Sequence, residues 1–141
     1  MSKSGLIIIV EDDGDDKDIF ESIVRELGIY NKIKWFGETK SAFDFLKTTS
    51  ENIFIIFSDI NLPGKTGMEF KRAIDLDPEL RKKSIPFVFL STQADQKDVD
   101  EAFTKMTVQG FFTKGNNYND MKAVLKYVFA YWKHSKHPNC Q

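Results

Sequence analysis

Leu6-Ile-Ile-Ile-Val10 runs straight into Glu11-Asp12-Asp13, and Ile53-Phe-Ile-Ile-Phe57 runs straight into Ser58-Asp59. An unbroken apolar run of this length, rich in β-branched and aromatic residues, is the pattern of a strand buried on both faces. Strands of that kind belong to parallel sheets covered by helices on each side. Pro86-Phe-Val-Phe-Leu90 is a third such run. Ile33-Lys-Trp-Phe36 and Gly110-Phe-Phe-Thr113 are weaker and are candidates for edge strands.

Helical patterns fill the gaps. Asp15–Leu27 sets Ile19, Phe20, Ile23, Val24 and Leu27 on one face, with Gly28 as the stop. Ser41–Lys47 is a short helix carrying Ala42, Phe43, Phe45 and Leu46. Met68–Leu76 is expected to end near Pro78. Asp95–Met106 places Val99, Ala102, Phe103 and Met106 on one stripe, and a last helix does the same with Met121, Val124, Leu125, Val128, Phe129 and Trp132. Strand and helix therefore alternate five times. Right-handed crossovers turn that order into an α/β fold, a doubly wound five-stranded parallel sheet. The expected domain covers residues 1–134, with a short loose tail at 135–141.

Composition narrows the function. A chain of 141 residues with 20 basic and 21 acidic side chains carries a formal charge of −1, so no global field draws it to nucleic acid or membrane. Its apolar runs are far shorter than a bilayer span, and a cytoplasmic location is the default expectation. The single cysteine, Cys140, excludes an internal disulfide framework.

In open α/β sheets, ligands bind beyond the carboxyl ends of the strands. Glu11-Asp12-Asp13 follow the first strand, Ser58-Asp59 the third, Ser91-Thr92 the fourth and Lys114 the fifth. Neighbouring strands lie about 4.8 Å apart, so carboxylates ending the first and third would converge. Crowded carboxylates repel unless a cation sits among them, and a few hard oxygen ligands suit Mg2+, which usually partners a phosphate. A carboxylate can attack phosphorus, and an ammonium opposite the metal can balance the phosphoryl oxygens. The set reads as the apparatus for reversible phosphorylation of an aspartate.

Val10-Glu11-Asp12, Ser58-Asp59-Ile60-Asn61-Leu62-Pro63 with Gly67, Leu90-Ser91-Thr92 and Lys114 together resemble the response-regulator receiver domain of two-component signalling, of the chemotaxis-regulator type. The acidic start and Phe89-Leu-Ser-Thr92 are also similar to stand-alone phytochrome-associated regulators. The resemblance covers about residues 5–133 and implies a flavodoxin-like (βα)5 sandwich. It implies that Asp59 is the phosphoacceptor, that Glu11, Asp12, Asp59 and the Asn61 carbonyl hold Mg2+, and that Lys114 clamps the phosphoryl group. It further implies that Ser91 is the switch hydroxyl, Phe111 the aromatic switch, and Asn61 and Gln93 the positions that tune phosphoryl lifetime. Glu11 stands where aspartate is commoner, so its longer arm is expected to reach the metal through water. Gly115 stands where the family has proline, so a trans bond after Lys114 is expected.

The implied partners are a sensor histidine kinase or a histidine phosphotransfer protein, with no nucleic acid and no membrane. Output would leave through the fourth helix, fifth strand and fifth helix, where Tyr127, Ala130 and Tyr131 lie off the core stripe. A homodimer is left open. The implied protein is a switch, not a turnover enzyme. Two alternatives stand beside it: an aspartate-nucleophile phosphohydrolase and a phosphorylation-independent scaffold. Gly64-Lys65-Thr66 imitates a P-loop end, but the pattern needs glycine where Asp59 stands. His134, His137 and Cys140 have metal-like spacing but supply too few ligands. The remaining acids Asp15, Asp16 and Asp18 read as partners of a helix dipole.

Overall fold

A computed structural model describes residues 2–62, 64–92, 95–114 and 117–138. Expectations resting on Pro63, Gln93, Gly115 and Cys140, including the trans bond after Lys114, fall outside these residues. After a 3-10 turn at Ser2–Ser4, the strands are β1 (Leu6–Val10), β2 (Ile33–Phe36), β3 (Ile53–Ser58), β4 (Phe87–Ser91) and β5 (Gly110–Thr113). All neighbours pair in parallel, in the order β2-β1-β3-β4-β5. The two weak runs are thus the edges, and β1 and β3 lie side by side.

The helices are α1 (Gly14–Glu26), α2 (Thr39–Thr48), α3 (Gly67–Leu76), α4 (Pro78–Lys83), α5 (Gln96–Lys105) and α6 (Tyr118–His134). One sheet face, with Ile7, Ile9 and Phe57, packs on α1 and α6; the other, with Ile8, Ile56 and Phe89, packs on α2, α3, α4 and α5. This two-sided cover is why the central strands read as continuous apolar runs.

The structure departs from the sequence reading in four places. Pro78 does not merely end α3; it starts α4, with the Asp77 side chain accepting from the backbone N–H groups of Glu79 and Leu80. A proline at the first helical position loses no intrahelical bond. The fourth and fifth crossover helices are therefore α5 and α6. Ile19 and Phe103 lie on the outer flanks of their stripes and are 41% and 55% exposed. The tail is not wholly loose: His137 is only 2% exposed and packs against Phe54 and Trp132. The reason lies in β3. Leu6 pairs with Ile53 but Ile7 with Ile55, so the register skips Phe54. The Phe54 carbonyl then accepts a bond from His137 Nε2 at 2.7 Å. Its N–H must donate, because a carbonyl oxygen can only accept.

A buried lysine ties the second layer together. Lys71 of α3 donates to Asp75 at 2.9 Å and to Thr107 at 3.0 Å, and its ammonium lies 5.0 Å from the centre of the Phe87 ring. Thr107 returns its backbone N–H to Asp75 at 3.0 Å. The network fastens α3 to the loop before β5.

Candidate functional site

Strand pleating decides which side chains meet. Ile7, Ile9 and Phe57 face α1 and α6, so residues two further along, Glu11 and Asp59, continue on that face. Phe112 faces the same way, and Lys114 follows it by the same period. Asp59 N–H donates to the Val10 carbonyl at 3.0 Å, and Lys114 N–H to the Ser91 carbonyl at 2.6 Å, so both leave their strands still hydrogen-bonded to a neighbour.

The loop after Asp59 is held tightly. One Asp59 oxygen, Oδ1, accepts from Ile60 N–H at 2.6 Å and Asn61 N–H at 3.2 Å. Gly67 N–H donates to the Ile60 carbonyl at 2.8 Å, and a Cβ at Gly67 would overlap the Asp59 carbonyl oxygen. Only glycine permits that approach. Thr66 and Glu69 then form a reciprocal capping box that starts α3.

Lys114 lies at the centre of the site. Its ammonium pairs with Glu11, with Asp16 at 2.9 Å and with Asp59 Oδ2 at 3.3 Å. The cavity these residues line measures about 20 Å³, enough for one water-sized group. One carboxylate oxygen from each of Glu11, Asp12 and Asp59 lies within 4.8 Å of the others, close enough to ligate one cation. Three hard oxygen donors, one of them on exposed Asp12, fit an ion that keeps waters, such as Mg2+.

Electrostatics follow from one ammonium among several carboxylates. Burial is the largest influence on Glu11 and pushes its carboxyl up to about 7; Lys114 opposes the rise and the Asp59 charge adds to it. Burial also pulls on Lys114, toward neutrality, but bonds from Glu11 and Asp16 and the charges of Asp59 and Glu11 outweigh it. Its pKa therefore stands above the ordinary lysine value. The two shifts agree: the ammonium is over-supplied with anions, and the most buried anion is under-supplied with cations.

The structure thus brings together Glu11, Asp12, Asp59 and Lys114. Asn61 is exposed beside them and turns its N–H to Asp59. Ser91 ends β4 fully buried, on the same face as Phe89, by the two-residue period. Phe111 packs on Phe89 on that face, ring centroids 5.5 Å apart, so Ser91 and Phe111 lie on the sheet face opposite Lys114. Asp16 is the residue the sequence reading missed. It lies four residues before Phe20 and seven before Ile23, so it extends the buried stripe of α1. An acid on an apolar stripe was the available signal. Asp13, by contrast, is the N-cap of α1, accepting from Asp15 N–H at 2.9 Å.

The roomier depressions lie elsewhere. One of about 520 Å³ runs between α2 and α3, and one of about 550 Å³ lies between the end of α1 and α6.

The sequence profile described as response regulator receiver domain matches residues 7–126. Response regulator Rcp1 of Synechocystis sp. is 26% identical over 132 residues, covering 90% of this chain and 88% of Rcp1. The solved structure of the phosphorylated cyanobacterial phytochrome response regulator RcpA superposes with a TM-score of 0.85 at 23% identity, covering 96% of this chain and 99% of that one. The Mn2+-bound form of response regulator Rcp1 gives 0.83 at 25% identity, covering 95% and 99%.

Proposed function

The chain belongs to the response regulator receiver domain family of two-component signalling, and on that footing we propose that Asp59 is its phosphoacceptor. The observation that carries the assignment is the position of Asp59. It follows the central strand β3, with one oxygen held by backbone N–H groups and the other facing Lys114, inside the Glu11–Asp12–Asp59 cluster. The family implies a histidine kinase or phosphotransfer protein as donor.

An Asp59 oxygen attacks the phosphorus of a donor phosphohistidine. The O–P bond forms as the N–P bond breaks, and the donor histidine leaves. Glu11, Asp12 and Asp59, with the Asn61 carbonyl by resemblance, would hold Mg2+; a Mn2+-bound relative supports a divalent cation here. When bound, that ion neutralises the carboxylates and the charge on the transferring group. Lys114 supplies the opposing positive charge. By resemblance, Ser91 would have to swing its hydroxyl from the opposite sheet face toward the new phosphoryl oxygens, and Phe111 would take the space it vacates. That would bias α5, β5 and α6, where Tyr127 and Tyr131 are 71% and 59% exposed, as partner surfaces often are.

This chain acts as a switch within the cytoplasm, in this reading. Among the described residues no helix is long and apolar enough to cross a membrane. Incubation with acetyl phosphate and Mg2+, followed by intact mass, should add one phosphoryl group. Asp59→Asn, which keeps the shape, should take none. Equal labelling of the variant would overturn the assignment, and steady turnover of a small phosphate ester would favour the phosphohydrolase alternative.

A further inference from the structure

An ammonium has three N–H donors, and Lys114 meets three carboxylates from three different elements: Glu11 after β1, Asp16 in the first turn of α1, and Asp59 after β3. We propose that Asp16 is the positioning residue that keeps the Lys114 ammonium aimed at Asp59 while the other two carboxylates change partners. The inference rests on Asp59 being the phosphoacceptor.

Glu11 and Asp59 each have a second task. Both belong, with Asp12, to the group whose oxygens could share one cation, and Asp59 is also the reacting group. Asp16 is outside that group of three, and nothing in phosphoryl transfer draws it away from Lys114. It is therefore the one contact of the ammonium that persists from the resting to the phosphorylated state.

The backbone fixes Asp16 independently of its charge. Asp13 caps α1 and accepts from the N–H groups of Asp15 and Asp16. One turn on, Phe20 packs edge-on against Phe57 with centroids 5.0 Å apart. Phe57 lies two residues before Asp59 on the same strand face, and Phe20 lies four residues after Asp16 on the same helix face. The aromatic pair thus sets the distance from Asp16 to Asp59. Lys114 is held at its backbone by Ser91, which leaves its long side chain to be fixed from the far end. Restraint at the charged end matters more for a lysine so placed.

The Asp16 side chain is 38% exposed, against 7% for Glu11. A pair at the rim adds little stability, so its loss should appear in rates. With acetyl phosphate and Mg2+, Asp16→Ala should lower the labelling rate at saturating donor by about two- to fivefold, the range of a part-exposed ion pair. The half-saturating donor concentration should stay constant, because donor binding is not the step affected. Asp16→Asn, which retains an acceptor but not the charge, should fall between. In a Lys114→Gln background, Asp16→Ala should have no further effect. An equal effect in that background would mean that Asp16 acts by its own charge, and unchanged rates would mean that it does not act at all; either overturns the inference alone. A wild-type chain that takes no label overturns the phosphoacceptor reading, and the inference with it.

Discussion

Lys71 and Lys114 are buried to a similar degree, with 3% and 7% of their side chains exposed, yet they stand in opposite electrostatic settings. Lys71 has one carboxylate, Asp75, together with the Thr107 hydroxyl and the Phe87 ring. Burial outweighs these partners and its pKa lies below the ordinary value. Lys114 has three carboxylates, which outweigh burial and hold its pKa above the ordinary value. Asp75 also lies below its ordinary value: burial is the largest influence and would raise it, but Thr107 and Lys71 together do more. The two members of that pair are therefore opposed, Asp75 favouring its charged form and Lys71 its neutral one. Asp75 keeps donors on Thr107 that do not depend on the lysine, whereas at Lys71 burial dominates. One ammonium with one carboxylate is complete. One ammonium with three leaves negative charge unspent, and a divalent cation can use it.

The largest effect should come from breaking the complete pair. Lys71→Met leaves Asp75 half-buried without its cation and should cost about 3 kcal/mol, the low end of the range for a broken buried pair because Asp75 keeps some solvent. Chemical denaturation measures it, and Mg2+ should recover none of the loss.

Lys114→Met should cost less without metal, about 1–2 kcal/mol, because Glu11 can take up a proton near neutrality instead of remaining an unpaired charge. Here millimolar Mg2+ should stabilise the variant more than the wild type, through linkage to a site freed of its competing ammonium. Melts of both variants with and without Mg2+ separate the two roles. A Lys71 variant rescued by Mg2+ and a Lys114 variant not rescued would reverse the comparison.

The smallest effect is in alkaline solution, and its sign differs between the two lysines. The folded pKa of Lys71 is below the ordinary 10.5. Between those values the unfolded chain binds the extra proton, so stability from Lys71 grows with pH. The folded pKa of Lys114 is above 10.5, so its contribution is intact below 10.5 and fades only as pH rises beyond it. The stability gap between wild type and Lys71→Met should widen toward pH 10.5, whereas the gap to Lys114→Met should hold constant there. Parallel curves would show that the two surroundings are electrostatically alike.

The residues of the site were legible in sequence where an apolar run ended abruptly in an acid, as at Val10-Glu11 and Phe57-Ser58-Asp59. Local order carried that information, since a strand end and its next residues are adjacent in the chain. Asp16 was harder: a helix N-terminus explains an acid by itself, and only the helical spacing to Phe20 and Ile23 marked it as facing inward. Asp77-Pro78 was read as a stop because proline ends one helix and starts another with the same residue. Lys71 was invisible, because its partner Thr107 is 36 residues away.

The register skip at Phe54 has a practical consequence for any attachment at the carboxyl end. Because His137 donates to that strand's Phe54 carbonyl, the segment after α6 is fastened at the amino ends of the strands, the pole opposite Asp59. A label placed on exposed Lys136 would thus sit at that pole, at the other end of the strands from Asp59. Trimming back to His134 would remove the imidazole, uncover the Phe54 and Trp132 rings it touches, and trade a harmless handle for a sticky patch.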